Sequence, residues 1–398
     1  MTDLTLSRRG LLRRGAGVSL IVSGGMIETT EACSQTSVKA AYSPWALWND
    51  PAARGTPLAL VAAGVLAANP HDSQPWRFHV GEQSIEIFAD TARNLGAMDP
   101  FLREMHIGLG CALENMVLAA PANGFAARIE TIPGSLADLA DRRGAVHAAS
   151  VHLTRLAGPA TPAPAYAAIP RRHTNRFPYD RKKPLPKAWR EAMAGLVEGP
   201  DVRLILFEDG APRAAYDAAV LEATQTIIAD ASMIADSDRW VRTTSAEIEK
   251  FRSGPTLETA GLSPLTLMLA KAVPVPAKTQ HEAWLSQTRG AQLSTAPLTG
   301  FIAVRDRHDR SAALAAGRAW QRLHLAATLS GVALQPLNQP MEVVDRDHQL
   351  GRGAAWDHRL SHLTGSDDWQ PTFSFRAGMP THDAPASPRR ALGDVVVS

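Results

Sequence analysis

A stretch of eighteen residues, GCALENMVLAAPANGFAA at positions 110–127, returns 207 positions later as GRAWQRLHLAATLSGVAL at 317–334. Seven of the eighteen aligned pairs are identical, among them Gly110/Gly317 and Gly124/Gly331. Each copy reads as a helix ended by glycine and followed at once by an apolar extended stretch. In the first copy Met105, Leu109, Ala112, Leu113, Met116 and Ala120 recur at spacings of three and four. That leaves little of the helix polar and predicts a central, mostly buried helix. Gly124 and Gly331 stand where a left-handed residue closes a helix. Alanine-rich helices can resemble one another by accident, but here the glycines and the strand that follows agree as well. A duplicated core helix predicts two similar halves in one chain, packed as a built-in dimer.

Size and charge bound the rest. A chain of 398 residues is too long for one ordinary core, so two domains or two fused halves are expected. A hydrophobic fraction of 45% and a charged fraction of 20% are those of a soluble globular protein. Cys33 and Cys111 supply neither a disulfide framework nor a zinc set. Beyond the first forty residues 36 basic and 36 acidic side chains remain, and that neutral body argues against nucleic acid as a partner.

Ser7-Arg8-Arg9-Gly10-Leu11-Leu12-Arg13 has the form of a twin-arginine export signal. The weakly apolar run at 16–27 is broken by Gly24-Gly25 and is too short for a stable membrane span. Signals of this type are read by a receptor and carry folded cargo. The expectation is that residues 1–40 are an address for the twin-arginine machinery and that the protein is exported to the periplasm already loaded. A basic amphipathic helix is the competing reading.

The first half spans 45–157. Thr56-Pro57 opens a helix with Thr56 as its cap. A polar loop, Pro70-His71-Asp72-Ser73-Gln74-Pro75-Trp76-Arg77-Phe78, feeds a hairpin with strands at 76–80 and 84–88. Asp99-Pro100 begins the long helix, and strands follow at 126–132 and 146–153. Residues 158–164, GPATPAP, read as a linker. The second half, 165–398, opens with the densest cationic cluster of the mature chain, Arg171-Arg172-His173-Thr174-Asn175-Arg176. A strand at 202–207 and a long helix at 211–234 come next. Residues 236–295 have no counterpart in the first half and read as an insertion, a lid or a surface excursion. The strand at 298–304, the repeated helix, a loop at 335–340, a strand at 372–376 and the pair Arg389-Arg390 complete the chain.

No Gly-x-Gly-x-x-Gly, Walker loop or Gly-x-Ser-x-Gly elbow is present, so neither standard nucleotide sites nor a serine hydrolase is indicated. His358 and His362 have metal-ligand spacing but no third ligand nearby, so a solvated helix face is preferred and no metal is expected. Cys111, in the core helix, reads as inert packing. The cluster at 172–176 is more informative, because arginine and threonine spaced in this way can wrap an anion.

These residues carry a resemblance. Arg172-His173-Thr174-Asn175-Arg176 resembles the Arg-x-Ser/Thr-x-Arg/Lys signature of nitroreductase-like FMN oxidoreductases. The loop from Pro70 to Phe78 resembles their Gln-Pro-Trp-x-Phe signature, and Arg389-Arg390 their C-terminal arginine motif. The two signatures lie in different halves, in the arrangement of the tandem, Acg-type branch, where one chain imitates the dimer. The resemblance implies an α+β fold of two fused halves, each a sheet with helices, and one FMN between them. It implies that Arg172 and Thr174 hold the phosphate, joined by Arg390 and Arg389, and that His173 lies by the ribityl chain. Arg176 would face the N1/C2 edge of the ring, where a cation stabilises reduced flavin. Pro70, His71, Asp72 and Ser73 would cover the ring, with Asp72 in place of the usual asparagine. Pro336, Leu337 and Asn338 would bring a backbone N–H towards N5. The chemistry so implied is two-electron transfer from a small-molecule donor to a quinone- or nitroaromatic-like acceptor, with no protein nucleophile. The alternative is a protein that sequesters flavin with little turnover.

Overall fold

The computed structural model describes residues 40–397 apart from positions 49, 159, 198 and 274. The twin-arginine segment lies outside the described residues.

Two antiparallel sheets with the same connectivity form the frame. In the first half β1 (Trp76–Val80), β2 (Ser84–Asp90), β3 (Phe125–Thr131) and β4 (Ala145–Arg155) lie in the order β3-β4-β2-β1. In the second β5 (Val202–Phe207), β6 (Leu298–Val304), β7 (Ala333–Pro336) and β8 (Gln370–Gly378) lie in the order β7-β8-β6-β5. Strand for strand the orders match. In each half a long helix joins the second strand to the third: α1 (Arg103–Ala119) and α2 (Arg310–Leu329). Both glycines of the repeat are left-handed: Gly331, at φ 69°, comes just after the Ser330 cap of α2, and Gly124, at φ 76°, closes the 3-10 turn Pro121–Asn123 that continues α1. The fold is α+β, built of two fused halves.

The seam between the halves is the crossing of α1 on α2, and the repeat explains it. A Cβ on Gly110 would lie 2.1 Å from the Leu314 carbonyl oxygen, and one on Gly317 would lie 2.0 Å from that of Ile107. The aligned glycines therefore meet at the crossing, each removing the Cβ that would hold the other helix away. Polar contacts lie round them, buried at Asn115 and Gln321 and part-buried at the two arginines. Glu114 accepts 2.9 Å hydrogen bonds from Arg318 and Arg322, and Asn115 accepts one of 2.8 Å from Gln321. An apolar core including Trp76, Leu113, Trp320 and Phe375 continues from one half to the other. Full burial of such side chains contributes about 1.5–3 kcal/mol each.

Several boundaries differ from those predicted. Asp99 does not open α1; its carboxylate reaches forward to accept the N–H groups of Glu104 (3.0 Å) and Met105 (2.9 Å). Thr56 does not cap its helix, because its hydroxyl donates to Ala53 O at 2.6 Å. Pro164, read as the end of the linker, begins a short helix, Pro164–Ala168. The helix expected at 211–234 is two helices, Gly210–Ala229 and Ala231–Asp238, because the Asp230 side chain caps the second. The segment with no first-half counterpart is longer than 236–295. It fills the whole of 208–297, where β1 and β2 are joined by residues 81–83 alone. Its first helix is long and regular enough to pass as an ordinary element of the half. The chain ends across the seam, where Val396–Val397 adds a parallel strand beside β1. No helix among the described residues is long and apolar enough to cross a membrane.

Candidate active site

The first-half loop is locally strained. His71, Asp72 and Gln74 have φ of 46°, 47° and 50°, a region that non-glycine residues rarely occupy. Neighbours hold it there. Pro70 O accepts the Ser73 N–H at 2.9 Å, and Asn69 Oδ1 accepts the Gln74 N–H at 2.7 Å. Gln74, fully buried, donates to Arg252 O (2.8 Å) and accepts the Arg390 N–H (2.7 Å). The loop lies directly on α1, where a Cβ on Gly108 would meet Pro70 Cδ at 3.0 Å.

The loop at 172–176 and the C-terminal tail meet this loop across a small recess of about 50 Å³, walled by Asp72, Arg172, His173, Thr174, Arg176 and Arg389 among others. Arg172 and Arg389 are each 2% exposed. Arg172 donates to Leu66 O at 3.1 Å, and Arg389 to Ser387 Oγ (2.6 Å), to Pro388 O (2.9 Å) and to the Asp72 carboxylate. The Nε atoms of both arginines are buried without a hydrogen-bond partner. Burial, then the charge of Arg389, lowers Arg172 to about 9. Burial pushes Asp72 up to about 7 even though Arg389 opposes the shift. His173, against the edge of Trp45 at 4.6 Å, is lowered to about 3 by burial and by Arg172, so it is neutral. Two confined guanidiniums facing one carboxyl that ionises only near neutrality make a recess with spare positive charge and two unused N–H donors. That suits a phosphate-sized anion.

The recess opens beside a cavity of about 750 Å³, and the two share walls at Asn69, Thr174, Arg176 and Thr259. Pro70 and His71 line one side; Ile107, Cys111, Trp320 and Phe373 give it an apolar floor; Pro336 and Asn338 line another edge. Burial, reinforced by Arg176, lowers His71 to about 4. The inserted segment supplies much of the remaining wall, including Trp284 and Gln287. It is strapped to the first-half loop by Ser237 Oγ on His71 Nε2 (3.0 Å) and by the Gly254 N–H on Asp72 O (3.0 Å). It reaches the other loop through Thr259 O, which accepts from Arg176 at 3.1 Å. Gly261, at φ 73°, comes so close that a Cβ there would lie 2.5 Å from the Arg176 carbonyl.

Ten of the predicted site residues thus converge: Pro70, His71, Asp72, Arg172, His173, Thr174, Arg176, Pro336, Asn338 and Arg389. Three do not reach either wall. Ser73 is fully buried with its hydroxyl unpartnered, because the left-handed turn at Asp72 swings it behind the loop. Leu337 packs into the second-half core and its N–H is taken by Ser374 O at 2.8 Å. Arg390 points away from the recess and fastens the tail, donating to Gln74 O at 3.3 Å and to Asp394 O. Residues that the sequence reading missed include Trp45, which stacks over Arg389 at 4.8 Å, and Glu104 and Glu342 on the cavity wall. Trp45 precedes the first recognisable element. The two glutamates sit inside helical patterns that give no sign of a shared cavity.

No sequence-family profile matches the chain. Over 347 residues it is 25% identical to "Putative NAD(P)H nitroreductase Rv3131" of Mycobacterium tuberculosis, covering 85% of this chain and 90% of that one. A match of that length takes in parts of both halves. A shorter match, 36% over 67 residues, is to the protein acg of the same organism, which carries the same activity in its name; it covers 17% of this chain and 20% of that one. Among solved structures, a nitroreductase with bound FMN from Desulfitobacterium hafniense aligns at TM-score 0.36 and 12% identity, covering 60% of this chain and 99% of the other.

Proposed function

We propose that the chain is an FMN-dependent oxidoreductase of the nitroreductase kind. Its fused halves hold one flavin at the seam and pass two electrons from a nicotinamide donor to a small acceptor of quinone or nitroaromatic type. One observation carries the reading: the strained loop of the first half and the arginine loop of the second face a single cavity. The residues present fit the cofactor. The orphaned Nε atoms of Arg172 and Arg389 offer donors to a phosphate, and the apolar floor offers a surface to a planar ring. When bound, FMN supplies hydride chemistry at its ring. Arg172, Arg389 and Thr174 would anchor the phosphate, with neutral His173 beside them. Arg176, between recess and cavity, would place a cation beside the ring, where it favours the reduced state. Pro70 and His71 would shield one side, and the inserted segment excludes water.

Arg8-Arg9 supports export through the twin-arginine pathway of an already loaded protein. A second reading, a flavin holder with little turnover, draws on the bonds that strap the inserted segment over the cavity. Purified protein reconstituted with FMN and mixed anaerobically with NADPH separates the two. The enzyme reading predicts bleaching of the flavin absorbance within seconds and recovery on adding a quinone. A persistently oxidised flavin favours the holder, and a colourless protein that takes up no FMN overturns both.

A further inference from the structure

The cavity wall carries acids that the reading above leaves unused. Glu104 from α1 and Glu342 from the helix Gln339–Leu350 both line it, at 4% and 5% exposure. Behind them lie Asp99 and Asp345, and the charged groups facing the four are Arg103, Arg307 and His308. The short contacts of those groups go elsewhere. Arg103 donates at 2.6 Å to Asp345 and at 2.5 Å to Thr372 O, and comes only to 3.5 Å of Glu104. His308 binds Asp345 at 3.0 Å, and Arg307 pairs with Asp357. Asp99 accepts two backbone N–H groups of α1. Asp345 is thus supported as an anion, whereas burial raises Asp99 to about 6 in spite of its two backbone bonds. The Asn338 side chain hydrogen-bonds the Glu104 carboxyl, but Oε1 of Glu104 has no hydrogen-bond partner.

Two enclosed carboxyls beside one guanidinium whose hydrogen bonds go to Asp345 and Thr372 O do not both ionise. Burial pushes Glu104 up to about 7 against the pull of Arg103. Burial and the Glu104 charge push Glu342 well above the usual carboxylate range. Against the same burial, Arg103 and His308 hold Asp345 down to about 2. Two further unpartnered oxygens, Oε1 of Gln339 and of Gln292, belong to buried residues of the same wall. Unused acceptors there suit a ligand that leaves bearing O–H or N–H groups.

We propose that Glu104 and Glu342 form a proton-holding pair that protonates the acceptor during its reduction, which makes the acceptor class one that takes up hydride and proton together, such as a quinone. The inference rests on the flavoenzyme reading. A quinone becomes a hydroquinone by gaining two electrons and two protons. Bound FMN, reduced by the nicotinamide donor, would supply both electrons and one proton as hydride. The glutamic acid O–H breaks and gives the other proton to a quinone oxygen, and the carboxylate left behind recovers a proton from solvent.

The test uses the flavin-loaded full chain, with Glu104→Gln and Glu342→Gln. Each form is reduced anaerobically, then reoxidised with 1,4-benzoquinone or with ferricyanide, which takes electrons without protons. General-acid catalysis contributes about 10²–10⁴-fold, so quinone reoxidation should fall at least about tenfold in Glu104→Gln while the ferricyanide rate stays within about twofold. The wild-type quinone rate should decline above a pH of about 7 and the variant's should not. The infrared C=O stretch of a protonated carboxyl should be present in wild type at pH 7 and weaken in either variant. Equal losses with both oxidants, an unchanged quinone rate, or no such band would overturn the proposal. Failure to bind flavin would instead overturn the functional reading, and the infrared band would still test the pair.

Discussion

An alanine at Gly317 should destabilise the protein, although alanine is the better helix former. Its Cβ would stand 2.0 Å from the Ile107 carbonyl oxygen and 3.0 Å from Gly110 Cα, where ordinary contact begins near 3.4 Å. Both obstacles are backbone, so no rotamer relieves them and α1 must move off α2 by roughly 1.4 Å. That movement lengthens the 2.9 Å bonds from Arg318 and Arg322 to Glu114 and the 2.8 Å bond between Gln321 and Asn115. Overpacking costs about 1–3 kcal/mol where side chains can yield, and the upper end applies between backbones. Helix propensity returns about 1 kcal/mol, leaving a net loss of about 2 kcal/mol. Gly110→Ala should lose a similar amount through Leu314 O, and the double variant less than the sum, because the first separation serves both. Gly195→Ala, a helical glycine with open space round it, is the control and should gain up to about 1 kcal/mol. Urea unfolding followed by circular dichroism measures all four. If Gly110→Ala or Gly317→Ala matches or exceeds wild type, the glycines do not set the helix separation and the account of the seam is wrong.

Neighbouring arginines should behave differently. Arg389→Ala should weaken FMN binding by about 2 kcal/mol, the scale of a charge-assisted bond. Arg390→Ala should lower the melting temperature by releasing the tail from Gln74 while changing FMN affinity by no more than about threefold, since it lies outside the recess. Asp72→Asn should tighten FMN binding most at pH 8. With its carboxyl pushed up to about 7 by burial, Asp72 is an anion above that pH and a neutral acid below it, so the affinity ratio of variant to wild type should shrink towards pH 6. The same shift gives stability a sign. Relative to an unfolded carboxyl near 3.8, the contribution of Asp72 is fullest below pH 4 and is lost as pH rises to about 7. Asp72→Asn should therefore flatten the decline of melting temperature over that window.

The framework was legible because it rests on local pattern. The repeat located both core helices, their closing glycines and the glycines of the crossing, and periodicity located the strands to within about three residues. The arginine loop was legible as a candidate anion site only in company, because a basic loop alone is more often a solvated surface, and the two loops took their roles from the resemblance to the family signatures. What escaped depends on direction in space. Which of Arg389 and Arg390 faces the recess is set by the path of the tail onto β1, a pairing made with residues more than three hundred positions away. Ser73 was misplaced because the left-handed backbone at His71 and Asp72, which composition does not announce, sets the direction of the side chain that follows. The start of the inserted segment was missed because a regular twenty-residue helix, Gly210–Ala229, carries no mark of being extra. Glu104 and Glu342 come from different halves, and only the crossing of α1 and α2 brings them to one wall.

The central claim is that both halves grip one phosphate-bearing flavin, and equilibrium binding of FMN against riboflavin tests it most directly. Titration monitored by flavin fluorescence should give one FMN per chain, with riboflavin at least about thirtyfold weaker because it lacks the group that Arg172 and Arg389 would hold, a difference of about 2 kcal/mol. In Arg172→Ala that preference should collapse while riboflavin affinity stays where it was. Equal affinity for the two flavins in wild type, or two FMN per chain, would contradict the account.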